Sequence, residues 1–149
     1  VANGVYNRGI RELFKADSDL DTADLRLLLV KSSYTFNKDH ATVDDGSADD
    51  PASHEIAVSG YSRQALTSEA VTQDDTNDFV YLDADDPVFS GMAAGETIGG
   101  AVLFRHTGTD STAPLIAFYD LVDIATSVGT LTVQWATPAN GGVLKGASA

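Results

Sequence analysis

The chain has no cysteine, so disulfides, thiolate metal sites and a cysteine nucleophile are all excluded. Its stability has to come from packing, hydrogen bonding and association. Basic residues are scarce as well: 9 Lys and Arg stand against 22 Asp and Glu, for a net charge of −13. Such a field repels nucleic acid, whose binding depends on Lys and Arg displacing counterions from phosphate. It keeps a protein soluble at high concentration. A partner must therefore offer a basic or neutral surface, or the contact must be largely apolar. Adaptation to a salty medium would explain the same imbalance. Long hydrophobic runs are missing too, none approaching the roughly 18 residues of a membrane span, and the start carries no basic-apolar-small signal segment. The first residue is Val1 rather than Met, so N-terminal trimming is expected.

What is present suits one domain of ordinary size. At 149 residues and 43% apolar content, such a chain buries roughly 70% of the surface its unfolded form would expose. Near the start, Tyr6, Ile10, Leu13 and Phe14 recur at helical spacing among Arg8, Arg11, Glu12 and Lys15. This predicts a short amphipathic helical arm within residues 1–16, able to dock but not to stand alone. Short polar residues from Asp17 to Asp24 end it. Leu25 to Lys31 reads as a strand apolar on both faces and therefore central. Residues 36–55 form a long acidic loop, of a length usually functional or mobile.

From Ile56 onward turn signals recur about every 8 to 14 residues and the pattern becomes β. Strands are expected at Arg63 to Val71, Phe79 to Asp83, Gly99 to His106, Leu115 to Leu121 and Thr130 to Ala136. In the last of these, Leu131, Val133 and Trp135 share one face, as in a half-buried antiparallel strand. Val143-Leu144 could close an edge. The expectation is one mainly β domain, an antiparallel β-sandwich of jelly-roll or immunoglobulin-like type, with about seven or eight strands and a short N-terminal helix.

The candidate chemistry is thin. Gly60-Tyr-Ser62 begins like a nucleophile elbow, but Gln64 stands where the second glycine is needed. His40, His54 and His106 follow no metal-ligand spacing, although His40 and His54 flank the acidic loop and a His/Asp zinc site there is conceivable. Gly95-Glu-Thr-Ile-Gly-Gly100 leads into a strand, whereas a phosphate cradle needs a helix behind it. Asp44, Asp45, Asp49 and Asp50 are calcium candidates, since calcium takes several carboxylate and carbonyl oxygens. Asp83-Ala-Asp85-Asp86-Pro87 begins like a calcium loop, but the proline breaks it and no glutamate follows in place; strand punctuation explains it better. One tryptophan, in strand periodicity, gives little for a glycosidase cleft. No enzyme and no cofactor is expected.

Taken in order, several segments resemble a family of tailed-bacteriophage virion proteins, described as head decoration, head fibre or minor tail components. They are Asp19 to Thr35, His54 to Thr67, Asp78 to Asp86, Thr97 to Phe104, Pro114 to Asp120, Leu131 to Trp135 and Gly142 to Leu144. The resemblance spans about residues 10–144. The chain departs from it in Asp86-Pro87-Val88 and in a more acidic 44–50 loop. The resemblance implies a structural role in the particle and brings no catalytic residues. With it, a −13 chain is expected on the outer surface, away from packaged DNA. The expected partners are the major capsid protein and copies of the chain itself, a trimer being the geometric guess, with no direct nucleic acid or membrane contact. Tyr6, Ile10, Leu13 and Phe14, or the 36–55 loop, are the expected contact elements. A tail or neck position, or a host-glycan-binding module on the virion, are the alternatives.

Overall fold

The computed structural model describes residues 2–13, 15 and 19–147. At its centre lies a five-stranded antiparallel sheet, with β2 (Leu25–Lys31) flanked by β7 (Thr97–Arg105) and β3 (Gln64–Ala65). Beyond β7 come β8 (Leu115–Ala125) and, at the edge, β1 (Gly4–Val5). Leu25, Leu27 and Leu29 face one core while Leu28 and Val30 face another, so β2 is apolar on both sides and central as its sequence predicts. A sheet buried on both faces loses the alternation of a half-exposed strand.

Two smaller antiparallel sheets cover the first face. One joins β4 (Ala70–Asp74), β5 (Phe79–Asp83) and β10 (Leu144–Ala147); the other pairs β6 (Val88–Ser90) with β9 (Thr130–Thr132). Leu82 and Phe89 from these strands, and Val133, Trp135 and Val143 from residues next to them, share one core with Leu27, Ala101, Leu103 and Ile116. The second face is covered by helix α1 (Asn7–Leu13) and the segment from Tyr34 to Ala52, with Tyr6, Tyr34, Val43, Phe104 and Phe118 between the layers. The architecture is thus mainly β, a sandwich with a short N-terminal helix.

Several sequence expectations shift in detail. The strand expected over Arg63 to Val71 is two strands, β3 and β4, broken where Ser68 takes φ +59°. The strand expected to run to Ala136 ends at Thr132, yet Val133 and Trp135 stay buried and Gln134 exposed, so the alternation outlives the pairing. Among the described residues there are ten strands rather than seven or eight, because β1 and β3 are two-residue pairings that no sequence pattern marks.

One irregularity shapes the surface. In the β7–β8 ladder Gly100 pairs with Asp120 and Ile98 with Ile124, so Leu121, Val122 and Asp123 stand opposite Gly99 alone. A side chain at Gly99 would meet the Ser32 backbone, the built Cβ lying 2.5 Å from Ser32 Cα. β7 is therefore pressed against residue 32 while β8 bulges outward. A bulge of this kind re-aims side chains and interrupts pairing.

Candidate assembly surface

The N-terminal helix turns its apolar stripe outward. Its inward residues are Gly9 and Glu12, and Ile10 and Leu13 point to solvent. The cause is how closely α1 sits on β8: a Cβ at Gly9 would lie 2.3 Å from the Ile116 carbonyl oxygen, so only glycine fits the contact line. Glu12 can go inward because cations surround it. It accepts from Arg8 Nε at 2.8 Å, with Arg105 Nη2 at 3.2 Å and Lys15 Nζ at 3.8 Å. Burial pushes its carboxyl up, but the Arg8 hydrogen bond and the charges of Arg8, Lys15 and Arg105 outweigh that and hold it below the usual glutamate range.

Of the four expected contact residues, Tyr6 is wholly buried and belongs to the core, its hydroxyl hydrogen-bonded to that of Tyr34 at 2.9 Å. It cannot contact a partner. Phe14 lies outside the described residues. Ile10 and Leu13 are 44% and 49% exposed. They form one wall of a groove of about 330 Å³ whose other wall is the β4–β5–β10 sheet, with Val71, Val80, Leu82 and Leu144; Val5 and Leu20 complete it. Sequence reading missed the second wall, since Val71 and Val80 come from strands where alternation alone does not show which face is left uncovered.

The 36–55 loop is a lid on the second core rather than an open site. Val43 and Asp50 are buried, and main-chain bonds tie Val43 N to Ala113 O and Ala52 N to Val43 O. Three of its carboxylates are committed to the loop's own donors. Asp50 accepts from Ser53 N and Asp45 N, Asp45 from Ser47 N and Oγ, and Asp44 from Gly46 N. The Ser47 hydroxyl and the other donors about Asp45 hold its carboxyl below the usual range despite partial burial. Asp49 reaches outward, 3.9 Å from His40 Nε2. Among the described residues no three His, Asp or Glu side chains converge as a cation site would require.

The remaining candidates are engaged as well. His40 Nδ1 shares a hydrogen bond with the Tyr34 hydroxyl, and His54 Nδ1 with the Asp50 carbonyl; both rings lie beside Tyr34. The Tyr34 hydroxyl is pushed up to about 12, chiefly by burial. The Ser62 hydroxyl accepts from Gln64 Nε2, with no histidine in that contact. In the acidic turn after β5, Asp85 accepts from Thr67 and Ser68, Asp86 from Trp135 N, and the Asp85 carbonyl from Trp135 Nε1. These carboxylates pin the turn, as strand punctuation would.

A hollow of about 360 Å³ lies beside Tyr119, Gln134, Trp135 and Asn140. Trp135 is 9% exposed and its Nε1 is committed to Asp85, so it presents little ring face to a sugar.

The strongest ionic network is one that sequence spacing could not reveal. Arg63 forks to both oxygens of Glu55 and of Asp110 at 2.7–2.8 Å and lies over the Phe104 ring. Tyr61 donates to Glu55 and accepts from Leu29 N. Every group there has its partner, and among the described residues no buried side-chain nitrogen or oxygen lacks one. That leaves no free acid–base pair in the cluster. No described helix is long and apolar enough to cross a membrane.

Compared with protein-family models, with curated proteins and with solved structures, the chain matches none.

Proposed function

We infer that the chain is a structural component of a tailed-phage virion, decorating the outer surface of the head and binding the major capsid protein. The observation that carries this reading is the apolar groove between α1 and the β4–β5–β10 sheet, left open on a chain of net charge −13. Its ionisable clusters are spent on the fold, which leaves contact rather than chemistry as the surface's use. The ordered resemblance from Asp19 to Leu144 supports the same reading. Acidic charge favours the outside of a particle over its DNA-facing interior. Repetition on a lattice lets weak single contacts add up through avidity.

Removing residues 1–15 would be a poor test, because Tyr6 fills the core and Gly4 and Val5 pair with Phe118 and Ala117. Quantitative mass spectrometry of purified particles is direct: capsid decoration requires many copies per head. A number fitting a single ring would move the chain to the neck or tail, and absence from the particle would end the virion reading. Ile10→Asp should lower occupancy without unfolding the chain, since that side chain is exposed.

A further inference from the structure

The 36–55 lid holds a buried titratable group that the assembly reading leaves unused. His40 is 5% exposed and ends a chain of buried hydroxyls. The Tyr6 and Tyr34 hydroxyls are 2.9 Å apart, and the Tyr34 hydroxyl lies 3.3 Å from His40 Nδ1. The chain joins three separate pieces of the second core. Tyr6 stands directly before α1, Tyr34 sits in the turn after β2, and His40 belongs to the lid. Asn7 strengthens the same seam, its main-chain N–H donating to Lys38 O and its side-chain amide to Asp39.

The protons of this chain can be counted. Its two contacts have room for two protons. When His40 is neutral and its Nδ1 is bare, Tyr6 donates to Tyr34 and Tyr34 donates to His40. Both hydroxyl protons are then placed, and the ring proton sits on Nε2, the nitrogen that faces Asp49. A charged imidazole carries hydrogen on both nitrogens, so turning the ring over brings no relief. The chain would hold three protons for two contacts. Among the described residues the Tyr6 hydroxyl has Tyr34 alone as its partner, so one hydroxyl proton would be stranded in the core.

Little around the ring offsets that loss. Asp49, 3.9 Å from Nε2, and Asp45 are the carboxylates that favour a charged ring, and both are exposed on its own loop. Lys38 and Asp39, next to it in sequence, pair with each other at the surface. On the core side stand Tyr34, Tyr6 behind it, and the His54 ring against Tyr34. The central sheet contributes Phe118, which carries no charge. Exposed ion pairs return less than a buried unsatisfied donor costs.

We propose that His40 is a proton-sensitive latch, and that acid favours a state in which the 36–55 lid lifts from the second core and His40 takes up its proton in water. The sign follows from the count: the closed form binds one proton fewer than the open one, so lowering the pH shifts the balance toward opening. A solvated histidine titrating near about 6.5 raises the open population about tenfold between about pH 7.5 and about pH 5.5. That window lies well above the one in which Glu12 and Asp110 take up protons.

Amide hydrogen exchange on the full chain, corrected for the intrinsic pH dependence of exchange, reads the opening directly. The amides of Val43 and Ala52, bonded to Ala113 O and Val43 O, should lose protection about tenfold from about pH 7.5 to about pH 5.5. They should also exchange ahead of the β2–β7 ladder, as a local opening requires. His40→Gln keeps an acceptor for Tyr34 but cannot take up a proton, so its lid should be equally protected at both pH values. His54→Gln should respond like wild type. A wild-type lid with the same protection at both pH values, lid amides that exchange no sooner than the ladder, or a folded His40→Gln that loosens with acid would each overturn the proposal. Should His40→Gln fail to fold, the histidine 15N spectrum of the wild type decides. It should show a neutral His40 ring protonated on Nε2 at about pH 7.5. A proton on Nδ1 there, or a charged ring under a lid that stays protected in acid, refutes the latch.

Discussion

The two coverings of the central sheet's second face make opposite use of their composition. The 36–55 segment is among the most acidic in the chain, yet it closes over the core and buries His40, Val43 and Asp50. Helix α1 has a ready apolar stripe, yet it buries Gly9 and Glu12 and leaves Ile10 and Leu13 outside. Polarity alone decides neither case. What can be buried depends on which groups find partners there: short Asp side chains accept the loop's own amides, and Glu12 has three cations around it. Backbone proximity settles the rest, since only a residue without Cβ fits between α1 and Ile116. The closed covering serves the fold; the open one leaves apolar surface exposed.

The sharpest way to break this contrast is to truncate one aromatic residue under the closed layer and one apolar residue on the open one. Tyr6 is fully buried against Phe36 and hydrogen-bonded to Tyr34. Tyr6→Ala should cost about 3–5 kcal/mol, as for other large aromatic deletions. Leu13→Ala should change stability by no more than about 0.5 kcal/mol. Urea unfolding of both variants measures the difference, and similar losses would mean that α1 packs through its apolar stripe after all.

A smaller effect tests whether the acidic loop is built from local hydrogen bonds. Asp50→Ala leaves Asp45 N and Ser53 N without their acceptor in a buried setting. The expected loss is about 1–3 kcal/mol. Asp44→Ala, at an exposed position, should cost far less, within about 0.5 kcal/mol. If calcium raised the melting temperature of wild type but not of Asp50→Ala, the loop would be a cation site and this reading would fail.

Much of the fold was legible because it follows from local pattern. Leu25 to Lys31 and Phe79 to Asp83 are strands with the bounds their sequences suggest, and the turn after Asp83 is pinned by its aspartates. What escaped is set by distant contact. The β8 bulge lies opposite Gly99, which is packed against Ser32, and the Arg63 network joins residues 8 and 47 positions away. The groove needed both walls to be visible. Helical spacing identified Ile10 and Leu13 as a face, but that face counts as open only once Gly9 is known to occupy the inward line.

Acid should act on the open covering through Glu12. Its folded pKa lies below the ordinary value of 4.5, so it contributes stability that is complete above that value and lost as pH falls through the folded one. Asp110, held below 3.8 by its hydrogen bonds and charge pairing with Arg63 against a burial penalty, adds a loss of the same sign. Melting temperature should therefore decline as pH drops below about 4.5. Glu12→Gln should flatten part of that slope while lowering stability at neutral pH, where three cations lose their shared carboxylate. An unchanged slope would place the acid sensitivity elsewhere, with the Arg63 network next in line.

The smallest effect is the one that separates folding from association. Val122 is almost fully exposed, so Val122→Asp should leave the stability of dilute protein within about 0.5 kcal/mol of wild type. Any association confined to folded copies would stabilise them by mass action, and this contribution would grow with concentration. Where Val122 takes part in it, wild-type melting temperature should rise as the protein is concentrated, whereas that of Val122→Asp should stay flat. Because the two curves start together, a gap that opens with concentration reports the contact between copies and not a defect in the fold. Parallel curves at all concentrations would mean that Val122 has no binding role.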